Sequence, residues 1–134
     1  MKNLYNAEIR ELPRLSKDVE DFCAQNSLGG NLAFALNLVL EEIFANVCLH
    51  GYEKKGGVVE IEIAKAPKKI TLKISDFAKA FNPLKQAPKP DLDANIEDRE
   101  IGGLGVHFIK TFMDEASYER IGGKNILTLS KNIA

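Results

Sequence analysis

Glu42-Ile43-Phe44-Ala45-Asn46-Val47-Cys48-Leu49-His50-Gly51-Tyr52 places three polar side chains on one stripe of an otherwise apolar helix. Glu42, Asn46 and His50 are spaced i, i+4, i+8 and stack along one side. Leu36, Val39, Leu40, Ile43 and Val47 follow the spacing of a core-facing stripe. An acid and an amide therefore border the core. Taken alone, the stripe fits an ordinary solvated helix face as well as it fits a site, and the flanking chain decides between the two.

Upstream, Asn26-Ser27-Leu28-Gly29-Gly30-Asn31 marks a break, so the central helix is expected from about Leu32 to His50, ending near Gly51. Before it, Ala7-Glu8-Ile9-Arg10-Glu11-Leu12 reads as a first strand ended by Pro13. Ser16 then offers an N-cap to a helix of about ten residues whose inner face is Leu15, Val19, Phe22 and Cys23. Downstream, Val58 to Ile63 and Ile70 to Ser75 alternate in polarity around Ala66-Pro67-Lys68-Lys69, as an antiparallel hairpin with one wet face does. Ile61, Ile63, Ile70, Leu72 and Ile74 should face the helices.

From Phe81 to Ile101 the chain carries Pro83, Pro88 and Pro90 with little periodicity, a long loop with the character of a lid. Gly102-Gly103-Leu104-Gly105 opens a short helix, Val106 to Met113, with Val106, Ile109 and Phe112 or Met113 inward. Ala116 to Arg120 and Ile126 to Ser130, joined by a turn at Gly122-Gly123-Lys124-Asn125, form a second hairpin. The order predicts an α/β (α+β) two-layer sandwich, a mixed and mostly antiparallel sheet covered on one face by about three helices.

With 134 residues and 45% hydrophobic content, the chain suits one domain, residues 1–134, with a single core. Eighteen basic against nineteen acidic residues, a net charge of −1, argue against direct nucleic-acid or anionic-membrane binding as its main business. The N-terminus lacks an apolar signal core, and no stretch is read as approaching the roughly 20 apolar residues that span a bilayer. The expected location is cytoplasmic. Cys23 and Cys48 fall in apolar helical patterns without partners at metal spacing, as reduced core residues do.

Three chemical elements converge if Asp76, at the end of a strand, and the glycine run lie across from Asn46. Backbone N–H groups of a glycine-rich turn feeding a helix N-terminus hold phosphates. An Asn oxygen is a hard ligand suited to Mg²⁺. A strand-end Asp accepts a hydrogen bond from an exocyclic amine such as that of adenine. Each signal has a bland counterpart: a loop-to-helix hinge for Gly-Gly-Leu-Gly, and a strand-end cap for Asp76.

In their order and spacing, Glu42-x-x-x-Asn46, Asp76-Phe77-Ala78-Lys79-Ala80-Phe81-Asn82-Pro83 and Gly102-Gly103-Leu104-Gly105-Val106 resemble the N, G1 and G2 boxes of the GHKL ATPases. Asn46-Val47-Cys48-Leu49-His50-Gly51-Tyr52 is similar to the helix ending of that superfamily's stand-alone bacterial anti-sigma-factor serine/threonine kinases. The resemblance covers roughly Leu36 to Lys131 and implies a Bergerat-type fold binding ATP and Mg²⁺. It implies that Asn46 ligates the metal, that Asp76 binds the adenine amine, and that the backbone of Gly102, Gly103 and Gly105 wraps the phosphates. A lid would run over about 84–101.

By the same resemblance, Glu42 would be the catalytic base toward a partner hydroxyl, Thr128 would approach the adenine through water, and Arg99 could lend charge to the phosphates. Read from the sequence alone, Arg99 equally fits a solvated charge and Thr128 an ordinary strand residue. Glu41, about 100° round the helix from Glu42, misses the stripe. The implied partners are a sigma factor and a small anti-anti-sigma antagonist, with a homodimer as a further implication.

One departure stands out: relatives carry Asp-x-Gly where this chain has Asp76-Phe77-Ala78, and alanine restricts φ as glycine does not. Two classes of function therefore stay open. One is a kinase that sequesters a sigma factor and phosphorylates its antagonist; the other is a non-catalytic nucleotide-binding or partner-sequestering regulator. A third reading, a detached histidine-kinase catalytic domain, would need a separate protein bearing the phosphoacceptor His.

Overall fold

The computed structural model describes residues 1–86 and 105–133. Its strands are β1 (Lys2–Asn6), β2 (Val58–Ala66), β3 (Lys69–Asp76), β4 (Glu115–Ile121) and β5 (Lys124–Asn132). Its helices are α1 (Leu12–Gln25), α2 (Gly30–Asn46), the single turn α3 (Pro83–Gln86) and α4 (Gly105–Phe112). The strands form one sheet in the order β1-β2-β3-β5-β4, and all four pairings are antiparallel.

Alternation gives this sheet one dry face. Tyr5, Val59, Ile61, Ile63, Ile70, Leu72, Ile74, Leu127 and Leu129 are buried, each within 4% of full enclosure. They meet Leu15 and Val19 of α1, Leu36, Val39, Leu40 and Phe44 of α2, and Ile109 of α4 in one core. Helix α2 lies between α1 and α4 and touches both. The Tyr5 ring meets Phe44 edge-on, with centroids 6.1 Å apart, a geometry aromatic quadrupoles favour.

The N-terminal reading is corrected. The first strand is Lys2–Asn6, and Ile9–Glu11 is a single 3₁₀ turn leading into α1. Proline lacks an N–H, but the first helical turn has no use for that donor, so Pro13 sits in the first turn of α1 where it was expected to end a strand. Ser16 consequently sits one turn inside α1, where its hydroxyl favours the ionised carboxyl of Glu41 on α2.

The central helix begins at Gly30 and is continuous with the π turn Val47–Gly51. Contrary to the sequence reading, Gly30–Gly51 is long and apolar enough to cross a bilayer by length and composition, with a mean hydropathy of 1.7. Its apolar residues are spent on the domain's own core instead, since Leu36, Val39, Leu40 and Phe44 are fully enclosed by sheet and helices.

Candidate functional site

The π turn widens the helix just after Asn46, a distortion that often marks a functional site. It ends with Gly51 against the segment that follows β3: a Cβ built on Gly51 would stand 3.1 Å from the Ala78 methyl. Glu53 and Lys54 follow with left-handed backbone, φ of 54° and 65°. Beyond them the Tyr52 hydroxyl accepts the Phe77 N–H and donates to the Val58 carbonyl, both at 2.8 Å. The Tyr52 ring lies so close over Gly57 that a side chain there would come within 2.3 Å of it.

Gly51 also lines, with Ile43, Asn46, Asp76, Phe81, Tyr118 and Asn125 among others, one open cavity. Asn46 from α2 and Asp76 from β3 thus share a single site. Asn46 is only 4% exposed, and its Nδ2 is enclosed without a hydrogen-bond partner. An enclosed amide nitrogen lacking a partner is costly. The other end of the same side chain, Oδ1, is the hard kind of oxygen that Mg²⁺ accepts. No group of three His, Cys, Asp or Glu able to hold a metal occurs among the described residues. One amide oxygen completed by phosphate and water oxygens is the kind of shell Mg²⁺ takes.

Asp76 is 5% exposed. Its Oδ1 accepts the Ala78 N–H and the Asn125 amide, each at 2.9 Å. Burial pushes its carboxyl above the usual range, opposed by the Asn125 and Ala78 bonds and by the Arg120 charge. Ala78 is absent from the positive-φ positions, which among the described non-glycine residues are Ser27, Glu53 and Lys54. Alanine is therefore unstrained at the place where glycine was expected, and its methyl fills the space over Gly51.

Glu42 lies one turn before Asn46 on the same stripe, about 6 Å along the axis, and is half-buried without lining the cavity. Glu41 is also half-buried, its carboxyl raised chiefly by burial, and is engaged with Ser16. Thr128 is not brought to the site. Leu127 and Leu129 point inward, so strand alternation turns Thr128 to the opposite face, opposite Lys73 and Ser117 in register. There it lines a groove with Thr71 and Ser130. Gly105 is the first residue of α4. Arg99, Gly102 and Gly103, with most of the 84–101 lid, lie outside the described residues.

Sequence reasoning missed Asn125 and Tyr118. Asn125 had been placed in the turn, but Gly122 and Gly123, with φ of 58° and 76°, complete a two-residue turn by themselves. That frees Asn125 to enter β5 opposite Asp76. The signal was present as a glycine pair able to take positive φ at both central positions, the requirement of the tight hairpin turn.

A family model described as the histidine kinase-like ATPase domain matches residues 5–131. Among curated proteins, the chain is 32% identical over 92 residues to an anti-sigma F factor of Thermoanaerobacter sp., covering 69% of this chain and 64% of that protein. It is 27% identical over 117 residues to the serine/threonine-protein kinase BtrW of Bordetella bronchiseptica, covering 87% and 82%. An anti-sigma F factor of Clostridium acetobutylicum matches at 29% over 96 residues, covering 72% and 66%. The chain thus spans a little under two thirds of the length of these two anti-sigma F factors. With Asn46 and Asp76 on one cavity, and a family match running nearly the length of the chain, this protein belongs to the histidine kinase-like ATPase domain family.

Proposed function

We propose that this chain is an ATP-dependent serine/threonine kinase that sequesters a sigma factor and phosphorylates its small anti-anti-sigma antagonist. The single observation that carries the reading is the shared cavity of Asn46, with its unsatisfied amide, and Asp76, with its buried carboxylate. The names of the relatives, anti-sigma F factor and serine/threonine-protein kinase, support the regulatory and catalytic halves.

Asp76 accepts the exocyclic amine of adenine while Phe81 and Tyr118 wall the base. Asn46 ligates Mg²⁺, which, when bound, neutralises charge on the phosphates and orients them. Gly102, Gly103 and Gly105 offer backbone N–H groups to the phosphates at the start of α4, and Arg99 adds positive charge from a lid over 84–101. The Glu42 carboxylate takes the proton of the incoming hydroxyl, a contribution typically worth about 10²–10⁴-fold. The absence of positive φ at Ala78 supports a G1 segment that binds nucleotide. Residues 1–134 act as one cytoplasmic domain, working as a homodimer without direct contact to nucleic acid or membrane.

Calorimetric titration of Mg-ATP into the wild type and Asn46→Ala, at matched ionic strength, tests the site. Micromolar binding that weakens on the order of tenfold or more in the variant is expected, and a wild type that binds no ATP overturns the reading. Glu42→Ala should retain ATP but lose phosphate transfer to the antagonist. Regulation in cells that is indifferent to this change would leave sequestration alone as the function.

A further inference from the structure

Asn125 uses both ends of its amide. Nδ2 donates to Asp76 Oδ1 at 2.9 Å, to the Lys79 carbonyl at 2.9 Å and to the Ala78 carbonyl at 3.4 Å. Its Oδ1 accepts the Tyr118 hydroxyl and, at 3.4 Å, the Phe81 N–H. Backbone carbonyls only accept and a backbone N–H only donates, so the surroundings dictate which way this amide points. Arg120, also from the β4–β5 hairpin, donates to the Ala78 carbonyl at 2.7 Å. The segment from Asp76 to Phe81 is therefore held by the side chains of one hairpin, and Asn125, 5% exposed, is its hub.

Resting on the nucleotide reading above, we propose that Asn125 is a positioning residue for base selection. Its amide fixes which oxygen of Asp76 is offered to a base and holds the Ala78–Phe81 backbone around it, so that the site takes a purine bearing a 6-amino group and refuses its 6-oxo counterpart.

Among the described residues, both hydrogen bonds to Asp76 fall on Oδ1, which leaves Oδ2 as the oxygen offered to a ligand. An ionised Oδ2 accepts from an amine and repels a carbonyl oxygen. Asn125 also favours the ionised form, since a donor to a carboxylate lowers its proton affinity. The charge that acts on Asp76 is that of Arg120 of β4, which works in the same sense as the Asn125 hydrogen bond. Among the described residues, Tyr118 is the other titratable side chain lining the cavity; α2 and the π turn contribute Ile43, Asn46, Val47 and Gly51, all uncharged. Without Asn125, Asp76 takes up a proton more readily, and a protonated carboxyl can donate to a 6-oxo group. Selectivity should then fade, and fade most at low pH.

The test is calorimetric binding of Mg-ATP and Mg-ITP at pH 6 and pH 8 to the wild type, Asn125→Ala and Tyr118→Phe. The triphosphate titrates alike in both nucleotides, so the affinity ratio reports the base end. The wild type should prefer ATP by on the order of tenfold or more at both pH values, as expected for a hydrogen bond to a charged group. In Asn125→Ala the ratio should collapse at pH 6 and partly recover at pH 8. Equal losses for both nucleotides, with ratio and pH response unchanged, would overturn the proposal and leave Asn125 as packing.

Should Asn125→Ala not fold by circular dichroism, Tyr118→Phe carries the test. It removes the hydroxyl that fixes the Asn125 amide, and the ratio should fall severalfold; an unchanged ratio overturns the proposal. A wild type that binds both nucleotides equally defeats this inference alone, whereas one that binds neither defeats the nucleotide reading as well.

Discussion

Asp76 weighs against the stability of the fold that displays it. Its carboxyl, raised by burial from an ordinary value of 3.8, is harder to ionise in the folded state than in the unfolded one. Above its folded pKa the ionised group therefore opposes folding, and that opposition disappears as pH falls through the folded value toward the unfolded one. Asp76→Asn keeps an oxygen for the Ala78 and Asn125 donors and removes the buried charge. Its thermal midpoint should exceed that of the wild type at pH 7, converge with it near pH 4, and be accompanied by loss of ATP binding. Scanning calorimetry across pH checks all but the last. Gly57→Ala should cost about 1–3 kcal/mol in chemical denaturation, because the added methyl must displace the Tyr52 ring. Asn46 and Asp76 were legible from motif order, because short motifs carry residue identity directly. Asn125 was not: its role exists only once β5 lies beside β3 in the observed register, a long-range pairing that local pattern does not encode. Thr128 failed for the complementary reason, since strand parity turns it to the far face.

At the scale of elements, strong periodicity made the central helix and both hairpins readable, while weak periodicity misplaced the first strand. Ile9 and Leu12, three apart, fit a helical turn as well as they fit a strand, and Pro13 supports either the end of one or the start of the other. What joins β1 to α1 is polar and invisible to hydropathy. The enclosed Tyr5 donates to Asp18 Oδ2 at 2.6 Å, Asn3 donates to the same oxygen at 3.1 Å, and the Arg14 guanidinium lies 4.3 Å from the centre of the Tyr5 ring. Burial and the Asp18 carboxylate together hold the Tyr5 phenol well above its usual range. Tyr5→Phe leaves the Phe44 contact and removes the hydroxyl, so urea denaturation should show a loss of about 1–2 kcal/mol with nucleotide affinity unchanged. The π turn was not foreseen either. Its sequence is acceptable to an α-helix, and it is the meeting of Gly51 with Ala78 that fits the widened turn to its place.

Across the whole molecule, both cysteines report on global opening. Cys23 and Cys48 are each 2% exposed, and burial raises both thiols, that of Cys48 to about 12. Because the thiolate is the reactive form, neither should react appreciably with iodoacetamide at pH 8 in the native state. Labelling should accelerate sharply at the denaturant concentration that unfolds the domain, and Mg-ATP should delay it by mass action; mass spectrometry reads both.

The strand order β1-β2-β3-β5-β4 sets a timetable as well as a shape. On the ribosome Asp76 emerges well before Asn125, so a chain interrupted ahead of Lys124 holds half of the proposed base-binding pair on a strand whose outer edge is still unpaired. Arrested translation products ending there should capture no nucleotide on immobilised ATP, whereas products extended beyond Asn132 should. On the proposed reading, ligand competence in the nascent chain would arrive in the same event that pairs the outer edge of β3.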